Sequence, residues 1–340
     1  MAKIVTFGEL MIRLQPFHYE RFVQASNLAF TFGGGEANVA VSLANFGMDA
    51  AFVTKLPAHA IGQAAVNSMR RYGVDTSYIT RGGERVGIYF NEKGASQRPS
   101  VCIYDRAHSA IAEADSTDFD WDRIFEGVDW FHFTGITPAL GANVAAICEE
   151  ACKAAKERNI KISCDLNYRG KLWSREQAGE TMSRLCRYVD VCIANEEDAK
   201  DVFGIAAAQT DITAGELNRE GYISVAKQLR ERFGFEKVAI TLRESKSATD
   251  NDWSAMLYDG EKACFSKKYH LHIVDRIGGG DSFGAGLIYA LLNGKDTQGA
   301  VEFAVAASAL KHAVEGDYNM VSVAEVEKLA GGDGSGRVQR

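Results

Sequence analysis

A run of three glycines that ends in a carboxylate is the strongest chemical signal in this chain. The run is Asp275-Arg-Ile-Gly-Gly-Gly-Asp-Ser-Phe283, and the apolar segment 282–292 that follows has a helical character. Gly278, Gly279 and Gly280 therefore stand at a helix N-terminus, where unpaired backbone N–H groups and the helix dipole attract an anion. Because glycine has no Cβ, a phosphate group can approach this backbone closely.

Asp281 places a negative charge directly beside this anion site. A carboxylate repels a bound phosphate, so it adds nothing to a site that only binds. It suits a base that takes the proton from a hydroxyl group while that group attacks a phosphate. The alternative interpretation is a glycine-rich turn in which Asp281 is the helix N-cap.

A second glycine cluster, Phe32-Gly-Gly-Gly-Glu-Ala-Asn38, also precedes a helical pattern. It fails as a dinucleotide fingerprint, because Asn38 stands where the third glycine of that motif is needed. Two interpretations remain open. One is a loop-to-helix junction, and the other is a backbone surface for a polyhydroxylated ligand, with donors and an acceptor supplied by the Asn38 amide. The chain contains no P-loop sequence.

The composition fits a large α/β enzyme. A chain of 340 residues is long for one domain, so one large domain with an appendage, or two domains, is expected. The net charge of −7 argues against nucleic acid or an anionic membrane as the main partner. The seven cysteines have no zinc or disulfide spacing, which indicates buried thiols in a reducing, cytoplasmic compartment. We expect no signal peptide and no membrane-spanning segment.

Strand-like and helix-like patterns alternate along most of the chain, which predicts βαβ units and a mostly parallel sheet covered by helices. The predicted strands are 4–7, 128–134, 160–165, 189–194 and 237–242, and the predicted helices are 38–46, 62–72, 143–158, 224–233, 282–292, 298–314 and one that starts at Glu196. A hairpin is predicted at Asp259-Gly260.

Two regions, about 11–32 and 85–105, contain extended segments with no helix between them. The segments 86–91 and 100–105 are predicted to pair as a hairpin. Together these regions predict a small β-sheet that closes over a site as a lid. The glycine-rich residues 326–340 are predicted to be a disordered tail.

The two glycine clusters resemble the two signatures of the ribokinase-like (phosphofructokinase-B type) carbohydrate kinases, in the same order and at a similar separation. The resemblance covers about residues 1–325. It implies a Rossmann-like α/β core with a small β-sheet lid, and ATP with Mg²⁺ as ligands; a requirement for a monovalent cation stays open. It also implies that the ATP phosphates lie on Gly278–Gly280, that Asp281 is the base, and that Gly33, Gly34 and Asn38 contact the sugar.

Within this family, the chain resembles the branch that acts on 2-keto-3-deoxygluconate. Arg106 and Arg169 lie in segments from which that branch directs arginines to the substrate carboxylate, and Tyr89, Tyr104 and Ile136 lie where it lines the sugar pocket. The chemistry agrees, because planar guanidinium groups bind carboxylates bidentately and a neutral sugar has no carboxylate. A role for Arg13 as a further ligand stays open.

The segment Ala194-Asn-Glu-Glu-Asp198 resembles the family motif that organises Mg²⁺ and its waters near the phosphates, which implies roles for Asn195 and Asp198. Asp198 is one methylene shorter than the usual Glu. A contact through water tolerates this difference, whereas a direct ligand would favour Glu197. A helix start with acidic residues in its first turn also fits. The resemblance further implies nucleotide contacts from these positions: Thr241, Arg243, Ala304, Ala307 and Ser308.

We therefore expect an ATP-dependent kinase that phosphorylates the C6 hydroxyl of 2-keto-3-deoxygluconate, giving 2-keto-3-deoxy-6-phosphogluconate. The alternatives are a fructokinase or ribokinase of the same family, and a non-catalytic sugar- or nucleotide-binding regulator on the same fold. Asp281 disfavours the regulator, because a carboxylate beside the phosphates is useful only in turnover. We expect a homo-oligomer. The sequence does not separate the gluconate from the galactonate epimer.

Overall fold

The computed structural model describes residues 2–195, 197–206 and 219–336. The strands are β1 (Lys3–Phe7), β2 (Met11–Pro16), β3 (Leu28–Gly33), β4 (Asp49–Leu56), β5 (Ile79–Arg81), β6 (Ile88–Glu92), β7 (Val101–Asp105), β8 (Trp130–Thr134), β9 (Lys161–Asp165), β10 (Val191–Asn195), β11 (Lys237–Ser245), β12 (Asp250–Tyr258), β13 (Ala263–Phe265) and β14 (Tyr269–His272). The helices are α1 (Gly35–Asn45), α2 (Ala60–Arg70), α3 (Trp121–Ile124), α4 (Ala142–Glu157), α5 (Arg175–Leu185), α6 (Asp198–Phe203), α7 (Arg219–Phe233), α8 (Gly279–Leu292), α9 (Thr297–Lys311) and α10 (Val323–Ala330).

The central sheet has the strand order β13-β12-β11-β10-β9-β8-β1-β4-β5, and β14 also pairs with β12. The seven strands from β11 to β5 in this order run parallel to their neighbours. The strands at the other end are antiparallel, because they follow one another through tight turns. One of these is the turn predicted at Asp259-Gly260, where Gly260 has a φ of 101°. The predicted mostly parallel sheet is confirmed.

Helices cover both faces of this sheet, and the strand β10 illustrates why its sequence is continuously apolar. Cys192 and Ala194 face the core formed with α4, α5 and α7. Val191 and Ile193 face the core formed with α1, α8, α9 and α10. Successive residues therefore need apolar side chains, as in other parallel sheets buried on both sides.

A second sheet of order β3-β2-β6-β7 forms the predicted lid. The predicted hairpin is present as β6 and β7, with Tyr89 opposite Tyr104. The two hairpins of the lid join through a parallel pairing of β2 with β6. This pairing brings together segments about 75 residues apart, so local pattern gave no indication of it.

Two of the differences from the expected boundaries have a clear local cause. Helix α1 begins at Gly35, three residues before the predicted start, because Gly34 in extended backbone serves as its N-cap. The predicted tail boundary at 326 falls inside α10, which Ser322 and Glu325 cap reciprocally and whose Val326 is fully buried. The predicted helix start at Glu196 lies outside the described residues, as do 337–340.

Two expectations about the chain as a whole can be compared with the fold. All seven cysteines are free, and six of them are buried. Among the helices in the described ranges, none has the length and apolar character needed to cross a membrane.

Candidate active site

A cavity of about 1800 Å³ lies at the carboxyl ends of the parallel strands. The chain begins in the middle of the sheet and continues to either side, so the strand order reverses between β1 and β8. Ligands of open α/β sheets bind at such a point. Residues from the loops after four neighbouring strands line the cavity: Glu9, Ile136, Arg169 and Asp198. This geometry brings together residues that are far apart in sequence.

The glycine run forms one wall of the cavity at the N-terminus of α8. Gly278 is the N-cap, with a φ of 80°, and a Cβ there would lie 2.0 Å from the backbone oxygen of Asp317. The N–H groups of Gly280 and Asp281 have no acceptor in the part of the chain that the structure describes. A Cβ on Gly280 would meet nothing within 4 Å. The helix start therefore offers free donors and open space to an anion.

Asp281 lies in the first turn of α8 and makes no capping hydrogen bond, so the N-cap interpretation is wrong. Its Oδ2 accepts a hydrogen bond of 2.7 Å from Nδ2 of Asn38, and Oδ1 of Asn38 accepts one of 3.3 Å from Gly34 N. The Asn38 amide thus fixes the carboxylate to the start of α1. Burial raises the pKa of Asp281 to about 7, and the carboxylates of Asp317 and Glu36 add to the rise. Such a carboxyl is matched to proton abstraction near neutral pH.

The cavity is also lined by residues expected to hold the sugar. Tyr89 and Tyr104 stack with ring centroids 6.0 Å apart, and Ile136 lies in the same lining. The Tyr89 hydroxyl donates to Oδ2 of Asp317 at 2.6 Å. Arg169 is exposed to the cavity and, within the described ranges, its guanidinium has no carboxylate partner within ion-pair distance. One of its N–H groups donates to Tyr168 O at 2.9 Å.

Arg106 also lines the cavity, but its guanidinium group already forms an ion pair within the protein. Its Nη2 forms an ion pair with the buried carboxylate of Glu9, which also accepts a hydrogen bond of 2.7 Å from Ser109. Its guanidinium carbon lies 5.6 Å from the centroid of the Tyr104 ring. The Nε atom of Arg106 is buried and has no partner among the described residues.

Arg13 is a structural residue and does not line the cavity. Its side chain is buried, with Nη2 2.5 Å from Asp275 and Nη1 2.6 Å from Asp317. These bonds join strand β2 of the lid to the segment that precedes the glycine run and to the segment that follows α9. The open question about Arg13 is therefore answered against a ligand role.

The cavity lining contains Asn195, Thr241 and Arg243, which are expected to contact the nucleotide. It also contains Arg276, which the sequence reasoning missed although it lies inside the glycine motif. Burial, and then the charge of Arg243, lower the pKa of Arg276. The buried Nε of Arg276 has no partner in the described part of the chain. Two cations in the lining of one cavity favour an anion there.

Four of the expected contact residues, Gly33, Ala304, Ala307 and Ser308, do not line the cavity. Gly33 packs against Asp317, which a Cβ would approach to 2.0 Å. Ala307 packs against Gly286, together with Ala304. Ser308 is buried, and its hydroxyl donates to the carbonyl of Gly279 at 2.7 Å. Of these residues, Ser308 contacts the glycine run directly.

The candidate Mg²⁺ residues form a buried acidic group. Asp198 accepts hydrogen bonds from Asn195 N at 2.9 Å and Tyr168 N at 3.0 Å. Burial raises the pKa of Asp165 well above its usual range, and the nearby carboxylates of Asp198 and Asp281 raise it further. No three His, Cys, Asp or Glu side chains of the described residues lie close enough to enclose a metal ion. The group therefore fits a cation held mainly through water.

Comparison with known proteins identifies the family. Residues 1–324 match the pfkB family of carbohydrate kinases. The chain belongs to this family. A 2-dehydro-3-deoxygalactonokinase from Haloferax volcanii is 34% identical to it over 98% of each chain. A 2-dehydro-3-deoxygluconokinase from Bacillus subtilis is 27% identical and covers 96% of this chain and 94% of its own length.

The solved structures agree. The crystal structure of a 2-dehydro-3-deoxygluconokinase from Thermotoga maritima is 52% identical and superimposes with a TM-score of 0.94, over 97% of this chain and 98% of that one. Membership in the pfkB family confirms the resemblance deduced from the glycine clusters, and the superposition confirms the predicted core and lid.

Proposed function

We propose that this pfkB kinase transfers the γ-phosphoryl group of ATP to the C6 hydroxyl of 2-keto-3-deoxygluconate. The observation that carries the proposal is the pairing of two unsatisfied sites in one cavity. Arg169 forms no ion pair with a carboxylate of the described residues, and the N–H groups of Gly280 and Asp281 have no acceptor among them. A sugar acid with a carboxylate at C1 and a primary hydroxyl at C6 suits both sites. The names of the similar proteins support a keto-deoxy sugar acid.

The chemistry is an in-line transfer with Asp281 as the base. The C6 oxygen attacks the γ-phosphorus, its proton passes to the Asp281 carboxylate, and the bond from that phosphorus to the bridging oxygen of ADP breaks. Asn38 holds the carboxylate through the 2.7 Å bond. The free N–H groups at the start of α8 stabilise the charge on the transferring phosphoryl group.

Cations assist at the phosphate end. Arg243 and Arg276 would contact phosphate oxygens, with Thr241 and Asn195 beside them. Mg²⁺ would neutralise phosphate charge, and Asp165, Asp198 and Asn195 would hold its water ligands, which relieves the repulsion between the carboxylates.

Substrate selection rests on the other end of the cavity. Arg169 would bind the substrate carboxylate, and Arg106, which lines the same cavity, would add a donor. Tyr89, Tyr104 and Arg106 belong to or follow the lid strands β6 and β7. Closure of the lid would exclude water, which suppresses hydrolysis of ATP.

We also propose a cytoplasmic homo-oligomer that assembles through the lid. Strand β3 is an edge of the lid sheet, so its outer backbone groups are available for pairing. Large apolar side chains are exposed on and before this strand: Phe17, Val23, Leu28 and Phe30. A second copy of the chain, meeting this edge with the same residues, would cover them.

The test is a coupled ATP assay over 2-keto-3-deoxygluconate, its galactonate epimer, fructose and ribose, with the product examined by phosphorus NMR. We expect the highest kcat/KM for the keto-deoxy acids and a phosphomonoester on C6. A preference for fructose or ribose would favour the neutral-sugar alternative. ATP binding without turnover of any substrate would favour the regulator. The ratio for the two epimers decides between gluconate and galactonate.

A further inference from the structure

Lys311, near the end of α9, is fully buried directly behind the glycine run. Its Nζ donates to the backbone carbonyls of Val314 at 3.1 Å and Asp275 at 3.3 Å. A Cβ on Gly278 would lie 3.4 Å from Cε of Lys311, so the lysine side chain packs against the left-handed N-cap of α8. A buried lysine is costly unless its charge is compensated, and the proposed mechanism makes no use of it.

The charge of Lys311 is compensated by a buried network. Burial lowers the pKa of Lys311, while the carboxylates of Asp275 and Asp317 oppose this effect. The same two carboxylates form ion pairs with Arg13 of β2, and Asp317 accepts a hydrogen bond from the hydroxyl of Tyr89 of β6. Asp275 Oδ2 also accepts a hydrogen bond of 3.1 Å from Gly316 N. The network thus joins the lid, the glycine run and the segment after α9.

The direct partners of the ammonium group are carbonyl oxygens, with carboxylates around them. Oxygen atoms of this kind are the ligands that hard cations prefer. We propose that Lys311 is a positioning residue that acts as a built-in monovalent cation. By binding the carbonyls of Asp275 and Val314, it holds Gly278–Gly280 in the phosphate-binding conformation. Phosphoryl transfer then needs no K⁺ or other monovalent cation.

This inference rests on the proposed kinase function, and it has a specific consequence. Removing the ammonium group leaves two carbonyls and two carboxylates facing a space in which K⁺ or NH₄⁺ fits. Tetramethylammonium cannot enter, because its methyl groups neither fit nor donate hydrogen bonds. A side chain that only filled volume would give no such selectivity among cations.

The experiment compares wild type with Lys311→Met in tetramethylammonium buffer, with K⁺ or NH₄⁺ added. Wild type should have the same kcat/KM for ATP in all three media. In Lys311→Met, kcat/KM for ATP should fall roughly 10- to 100-fold, because each lost hydrogen bond involves a charged donor. K⁺ or NH₄⁺ should recover much of that loss, and the same ions should raise the melting temperature of the variant. Lys93→Met is the control, since Lys93 is also buried but pairs with Glu315 outside the cavity lining; its properties should not depend on the cation.

Three results would overturn the inference: wild type that K⁺ activates several-fold, a Lys311→Met variant with normal ATP kinetics, or a loss that no cation reverses in activity or melting temperature. If the variant does not fold, the wild-type measurement alone still decides. Wild type without kinase activity would contradict the proposed function instead, and the cation dependence of the melting temperature of Lys311→Met would then test the inference.

Discussion

At the scale of single residues, the proposed function assigns the chemistry to Asp281. Asp281→Asn keeps the shape of the side chain and its contact with Asn38 but removes the base. We expect turnover to fall by about 10²–10⁴, while ATP binding is retained or becomes tighter, because a charge that repels phosphate is lost. A single-turnover assay combined with a nucleotide titration measures both. Near-normal turnover would remove Asp281 from the mechanism.

The raised pKa of Asp281 also predicts how stability depends on pH. In the folded protein the Asp281 carboxyl has a pKa of about 7, whereas an aspartate in an unfolded chain has a pKa of about 4. The stability contributed by the protonated group is therefore full below about pH 4 and is lost as the pH rises to about 7. Asp281→Asn escapes this loss, so its melting temperature should exceed that of wild type by a margin that grows between about pH 4 and pH 7 and levels off above pH 7. A margin that does not change with pH would contradict the assigned pKa.

The partners and the exposure of the arginines could not be predicted from the sequence. Arg13 and Arg169 are both arginines in motif segments, yet one is buried in ion pairs and the other is exposed to the cavity. The carboxylate partners of Arg13 lie 262 and 304 positions later in the chain, so no local pattern reveals them. Arg276 lies inside the glycine motif, but its unpartnered Nε depends on the tertiary structure and is visible only in the fold. The glycine run and Asp281 were predictable, because a helix start needs no distant partner.

At the scale of elements, the start of α8 can be tested with two adjacent glycines. Gly280→Val should abolish ATP binding without unfolding, because its side chain would enter open space in front of the free N–H groups. Gly279→Val should disturb the fold, since its Cβ would lie 2.5 Å from the His312 ring. Gly284→Ala, in the same helix with only an ordinary contact to Ile193, is the control. Circular dichroism and ATP titration separate these effects, and normal ATP binding by Gly280→Val would mean that the phosphates lie elsewhere.

The elements themselves were predictable to different degrees. Strands β8 to β11 and helices α8 and α9 follow from long apolar runs, since a parallel sheet covered on both faces imposes them. Helix α10 was missed because the glycines after residue 330 dominated the interpretation, although the Ser322–Glu325 capping pair is present in the sequence. The pairing of β2 with β6 depends on tertiary contacts and could not be deduced.

At the scale of the whole molecule, the exposed apolar edge of the lid predicts self-association. Wild type should behave as a dimer or larger assembly in light scattering, and Phe30→Asp should shift it to a smaller species with an unchanged circular dichroism spectrum. Met320→Asp is the control, because Met320 is also exposed but lies outside the lid. A wild type that remains monomeric over a wide range of concentrations would contradict assembly through this edge.

The central claim is that the cavity selects a sugar acid through its carboxylate, and Arg169 gives the most direct test. Arg106→Ala is less suitable, because it would leave the buried Glu9 carboxylate without its cation. The measurement is kcat/KM for 2-keto-3-deoxygluconate and for fructose, in wild type, Arg169→Ala and the control Arg175→Ala, whose arginine pairs with Asp201 outside the cavity lining. Arg169→Ala should lose roughly 10- to 100-fold on the sugar acid, the value of a charge-assisted hydrogen bond, and little on fructose. An equal loss on both substrates, or a wild type that prefers fructose, would contradict the account.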